Sequence, residues 1–193
     1  MKKKILLIAI FAFVSTLLSA APFGLKMGMN LNEIAEACGG QRPENVKDDC
    51  YKIFPEKNHP LFEKYYAYVD DVEGLYYLKA VSYRVSTNQY GTELKDKFYE
   101  ISNRIAKTYG TPEITEEMDE QSIFNDENLW LYSLGEGSRT LSAIWETKQP
   151  MKDNLVYVYL YVTAEYLYTR GYVNLEYRFT NANAVEDAQD DVF

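Results

Sequence analysis

Histidine is almost missing from this chain: among 193 residues there are one His, two Cys, six Pro and ten Gly. A single histidine excludes a His-rich metal site. A serine triad would have to be built on His59, which sits in Glu56-Lys57-Asn58-His59-Pro60 with no serine-nucleophile motif or second histidine beside it. Basic residues are scarce as well, 20 Lys and Arg against 29 Asp and Glu, for a net charge of -9. The clustered cations that a nucleic-acid partner requires are therefore lacking. The modest glycine and proline content excludes collagen-like and low-complexity chains. Present in excess is tyrosine, 18 residues against nine Phe, within a chain that is 47% hydrophobic and long enough for one domain with its own core.

Past the first 21 residues there is no apolar run long enough to span a bilayer as a helix. Those residues have another reading. Lys2, Lys3 and Lys4 form a positive start, Ile5 to Leu18 is an apolar stretch too short for a comfortable span, and Ser19-Ala20-Ala21 are small. This pattern predicts a secretory signal peptide over 1–21 and a periplasmic or secreted mature protein without a transmembrane span. Cleavage after Ala21 leaves Pro22 first, whereas cleavage after Ala20 puts Leu18 at the upstream small-residue position; both sites stay open. No cysteine stands near the cut, which argues against a lipid anchor.

Export changes how the cysteines read. Cys38 and Cys50 flank a loop rich in Gly, Pro, Asn and charge, and an oxidising compartment favours a disulfide between them, contributing about 3 kcal/mol by restricting the unfolded chain. The spacing is not that of a Cys-x-x-Cys redox pair.

Two helices are punctuated in the sequence. The first has Asn30 as N-cap with Glu33 placed for a capping box; Leu31, Ile34, Ala35 and Cys38 share one face, and Gly39-Gly40 ends it. The second starts at Thr92 as N-cap, repeats Leu94, Phe98, Ile101 and Ile105 at helical spacing, and stops at Gly110-Thr111-Pro112. Between them a hairpin is expected from Phe62 to Val69 and Leu75 to Val85. Its Asp70-Asp71-Val72-Glu73-Gly74 connection lacks the ligand spacing of a calcium loop and reads as a solvated turn. Glu113 to Glu127 reads as a loop. Four strands follow, Leu129–Leu134, Arg139–Thr147, Asn154–Ala164 and Tyr172–Phe179, with short turns that imply an antiparallel meander. An outer-membrane barrel is excluded by the two helices and the non-alternating end.

The expected fold is α+β, with helices packed on one face of a mostly antiparallel sheet over 22–180 and an acidic disordered tail over 181–193. Each half, 22–87 and 88–180, reads as a helix, a glycine stop, a proline and strands. That is either a tandem duplication or ordinary helix punctuation.

The segment Gly28-Met29-Asn30-Leu31-Asn32-Glu33-Ile34, followed by Gly40 and Pro43, resembles the opening of the SmpA/OmlA-like envelope domain. The helix-plus-sheet layout is similar to that of proteins like the β-lactamase inhibitor protein, and Phe23 to Met29 resembles the start of small exported bacterial proteins of unknown function. What the resemblance implies is an envelope fold used for binding, inhibition or assembly, with no catalytic residue carried over.

The tyrosine excess concentrates in one strand. Val156, Val158, Leu160 and Val162 alternate with Tyr157, Tyr159 and Tyr161, so one strand face is aliphatic and the other a tyrosine row. Pairing with the next strand would set Asn174, Glu176 and Arg178 beside that row. Such a face is either half-buried sheet surface or an aromatic platform for a protein, peptide or glycan of the envelope. No cofactor or metal site is expected. The functional expectation is a binding module acting through Tyr157, Tyr159, Tyr161, Asn174, Glu176 and Arg178. The alternatives are an inhibitor of a secreted enzyme, or a hydrolase whose carboxylate pair no motif singles out.

Overall fold

A computed structural model describes residues 21–165 and 169–190. The leader expected over 1–21 lies outside the described residues apart from Ala21, as do the last three residues of the tail. The architecture is α+β and mostly sheet: nine antiparallel strands and, among the described residues, four α-helices. None of those helices is long and apolar enough to cross a membrane.

The described residues open with a short turn at Pro22–Gly24 and then α1 (Leu31–Ala37). The Asn30 side chain accepts from the Asn32 and Glu33 amides at 2.9 and 3.1 Å, and Glu33 accepts from the Asn30 amide at 2.9 Å, closing the expected capping box. Next come β1 (Glu44–Lys47), β2 (Cys50–Ile53), β3 (Phe62–Asp70), β4 (Gly74–Ser82) and the short β5 (Val85–Ser86). In the β3–β4 turn the Asp70 carboxylate accepts from the Val72 and Glu73 amides, the arrangement of an Asx turn.

The second helix, α2, covers Thr92–Tyr109 and buries Leu94, Phe98, Ile101 and Ile105 as the spacing predicts. Its cap is Gly91 rather than Thr92, held in the left-handed region at φ 70°. There a side chain would be strained and would run into the Trp130 ring. Capping passes to Asn88, whose side chain accepts from the Tyr90 and Thr92 amides at 3.0 and 3.3 Å.

After α2 the elements are β6 (Glu113–Met118), α3 (Trp130–Gly135), β7 (Arg139–Met151), β8 (Leu155–Ala164), β9 (Arg170–Phe179) and α4 (Ala182–Asp190). The strand order is β1-β2-β3-β4-β9-β8-β7-β6, with β5 also on β9. Two meanders thus meet at the β4–β9 pair. The hydrophobic core draws Ile34, Ile53 and Leu78 from the first and Phe98, Trp145 and Phe179 from the second into one cluster. Helix α2 packs on β7, β8 and β9, and α3 on β7 and β8.

Several expectations are corrected here. Leu129–Leu134 is helical from Trp130 because Trp130, Leu131 and Leu134 reach the core together at helical spacing, which a six-residue apolar run cannot reveal alone. The acidic stretch expected as a loop contains edge strand β6, whose glutamates keep an unpaired edge in water. The tail forms α4, with Ala182 and Val185 buried.

The disulfide is absent as well: Cys38 and Cys50 are free thiols. Cys38 belongs to the core cluster, whereas Cys50 pairs in register with Tyr68, two positions from Lys52 and out of phase with buried Ile53. The thiols therefore face opposite sides of the sheet, which stands between them.

Candidate functional site

Strand register decides which side chains meet. In β8, Val158, Leu160 and Val162 are buried against the core, which turns Tyr157, Tyr159 and Tyr161 to the other side of the sheet. A bulge between Leu155 and Tyr157 puts Leu155 on the core side too and Val156 out of step with the expected aliphatic face. Strand β9 pairs Tyr157 with Arg178, Tyr159 with Glu176 and Tyr161 with Asn174. All six residues singled out from the sequence therefore share one face.

The pairing continues across the joint into the first meander. One row runs Tyr157, Arg178, Tyr77, Tyr68, Cys50, and the next Tyr159, Glu176, Lys79, Tyr66, Lys52. With Tyr161 and Tyr172, seven half-exposed tyrosines stand on this face. The Tyr159 and Tyr161 rings stack with centroids 5.0 Å apart, and Tyr68 meets Tyr77 edge-on at 5.2 Å.

At the centre lies a closed polar cluster. Lys79 Nζ donates to the Tyr161 hydroxyl at 2.9 Å, that hydroxyl donates to Glu176 Oε1 at 2.8 Å, and Lys79 Nζ stands 3.0 Å from the same carboxylate oxygen. Glu176 is only 9% exposed and Asn174 5%. Burial pulls the Lys79 ammonium down, but its bonds to Tyr161 and Glu176 outweigh that and hold it above the usual lysine range. Burial, and then the Glu176 carboxylate, raise the Tyr77 phenol well above its ordinary range. Tyr68 is pushed up to about 12, first by burial and then by the Cys50 thiol beside it. Tyr68 and Tyr77 are thus neutral hydrogen-bonding groups at any physiological pH.

The rim is fixed in the same way. Asn174 donates to Thr163 Oγ1 at 3.1 Å, and Tyr172 accepts from Arg84 Nε at 3.1 Å. Arg178 forks onto Glu186 of α4 at 2.6 and 2.7 Å and reaches Asn183 at 2.8 Å. Since Arg178 lies on the tyrosine side, α4 closes one end of this face while α2 and α3 pack on the other. By contrast, the hydroxyls of Tyr66 and Tyr159 take no hydrogen bond among the described residues.

Sequence reasoning missed Lys79 and the β3–β4 tyrosines. Their signal was present in the alternations Tyr66-Ala67-Tyr68 and Tyr77-Leu78-Lys79-Ala80. What brings them to the site is the β4–β9 pairing, between strands about a hundred residues apart, and no local pattern announces it. His59 lies away from this face: its Nδ1 accepts from the Leu61 amide at 3.2 Å, and its ring meets Phe62 edge-on.

No protein-family model, no curated protein and no solved structure matches the chain. The likeness of Gly28–Ile34 to the SmpA/OmlA-like opening stands on those residues alone.

Proposed function

We propose that this protein is an exported binding module of the bacterial envelope, periplasmic or secreted after loss of its leader, which holds a protein partner on the tyrosine face of its sheet. The observation that carries the reading is the row arrangement. Six further tyrosines surround a partly covered Lys79–Tyr161–Glu176 cluster on a face that α2 and α3 leave open. Tyrosine provides large contact area at little ordering cost, and a central charged cluster that is already paired does not have to reorganise when water leaves.

Size favours a protein over a peptide or glycan. Eight strands at a spacing of about 4.8 Å make a face about 34 Å wide, the scale of a protein–protein interface. The carboxylate at its centre is bound to Lys79 and Tyr161, which suits holding a partner better than proton transfer.

The element order supports a tandem origin. A helix followed by a four-stranded meander occurs as α1 with β1–β4 and again as α2 with β6–β9, and the two units share an edge through β4 and β9. We read this as a duplication, and the tyrosine rows cross the seam, so both copies build the site. A partner that is itself a secreted enzyme would make the module an inhibitor.

The test is the paired change Tyr66→Ala and Tyr159→Ala, which removes two rings whose hydroxyls take no hydrogen bond among the described residues. The partner should stop co-purifying while the melting temperature stays within a few degrees of the unaltered protein. Retention of the complex by a folded double variant would overturn the reading.

A further inference from the structure

On the opposite side of the sheet, α2 and the first turn of the domain leave a cavity of about 210 Å3 open toward solvent. Its walls are mostly apolar, from Phe23, Phe62, Ile101, Ile105 and Leu175. The polar lining groups are His59, Arg104 and the hydroxyls of Thr108, Tyr109 and Tyr177, and no lining residue is acidic. That composition is unusual for a chain in which acids outnumber bases 29 to 20.

The wall is also built under strain. Phe23 is held at φ 54°, where side chains are rarely found, and its ring packs edge-on against Phe62, Tyr65 and Tyr177. Beyond Tyr109, outside the lining, lies Asp153 at φ 66°. It accepts from the Tyr109 hydroxyl at 3.1 Å, and its other carboxylate oxygen is buried without a partner. Negative charge is thus fixed behind the tyrosine end of the cavity and positive charge at the α2 rim.

We propose that this cavity is a binding site for a small monocarboxylate with an apolar body, its carboxylate on Arg104 and its tail directed toward Tyr109 and Tyr177. Arg104 spends one nitrogen, Nη2, on Glu100 at 3.2 Å, which leaves further N–H donors on the fork for a ligand carboxylate. The levels of Arg104 and Tyr109 differ by about 7.5 Å along the helix axis, room for a short aliphatic chain. By comparison with the roughly 150 Å3 cavity that accepts benzene, the volume admits about eight non-hydrogen atoms. Asp153 repels a carboxylate at the far end and so sets the direction of entry.

Hexanoate, 1-hexanol and hexylamine, titrated into the purified protein by calorimetry with amide chemical shifts as a map, separate the terms. Hexanoate should bind saturably, shift the amides of Phe23, Phe62 and Ile105, and bind about tenfold or more tighter than the alcohol or the amine. Arg104→Gln, on the exposed side of the rim, should bring hexanoate down to the affinity of 1-hexanol. Thr108→Trp, also at an exposed helix position, should block both. Equal affinity for the three probes, no saturation at millimolar hexanoate, or hexanoate binding that survives both substitutions would overturn the proposal.

Discussion

Lys79, Tyr161 and Glu176 set the physical character of the tyrosine face. Their side chains lie at a half-covered position where an unpaired charge would be costly, and each satisfies the other two. Removing one cation should therefore hurt more than removing the pair. Lys79→Met is expected to destabilise the fold by about 2–3 kcal/mol by leaving the covered Glu176 carboxylate without its cation, held by the Tyr161 hydroxyl alone. The double change Lys79→Met with Glu176→Gln should recover a substantial part of that, because the amide stays neutral and still accepts from Tyr161. Urea denaturation of the two single variants and the double variant measures the coupling; additive losses would contradict it. Of this cluster, Tyr161 and Glu176 were legible in the sequence because strand alternation assigns a face. Lys79 was not, since a lysine in an alternating strand reads as a solvated residue until its neighbour across the sheet is known.

At the level of elements, legibility followed length and punctuation. α1 carries a capping box, α2 a clean apolar stripe, and both stop at glycine; α1 lies where those signals put it, and so does the body of α2, although Gly91 and not Thr92 is its cap. The short or charged elements did not announce themselves: β1 inside a Gly- and Pro-rich loop and β2 just past it, β6 among glutamates, α3 in six mostly apolar residues, α4 in an acidic tail. Each is stabilised by what it docks on rather than by its own propensity. Helix α4 shows this most directly, since the Arg178–Glu186 fork ties it to the sheet. The hydrogen bond from Arg178 holds the Glu186 carboxyl below the usual carboxylate range. A depressed folded-state value stabilises docking above the unfolded value of about 4.3, and the contribution is lost as pH falls through the lower folded value. The protection of the Val185 amide against hydrogen exchange, taken relative to the intrinsic rate at each pH, should fall on acidification through that window. In Arg178→Gln that protection should already be low at neutral pH and lose this dependence; an identical acid response in both proteins would count against the tie.

At the scale of the whole molecule, the β4–β9 pair makes one sheet of two meanders, and the core runs through both. Folding of the halves should be inseparable. Ile53, 2% exposed in the first meander, lies far in sequence from Trp130 and Trp145, which both belong to the second. Ile53→Ala should cost about 3 kcal/mol and shift the unfolding midpoint seen by tryptophan fluorescence by the full amount. A tryptophan transition that stayed in place would show two independent units. The same continuity makes the tyrosine face one surface rather than two, and whether that surface meets a partner is the central claim. It is tested most directly by placing a photo-cross-linking aromatic residue at Tyr159 and, as a control, at Tyr99 on the exposed side of α2, then irradiating cells that export the protein. A discrete adduct is expected from position 159 and none from position 99; adducts from both, or from neither, would contradict a partner held on the tyrosine face.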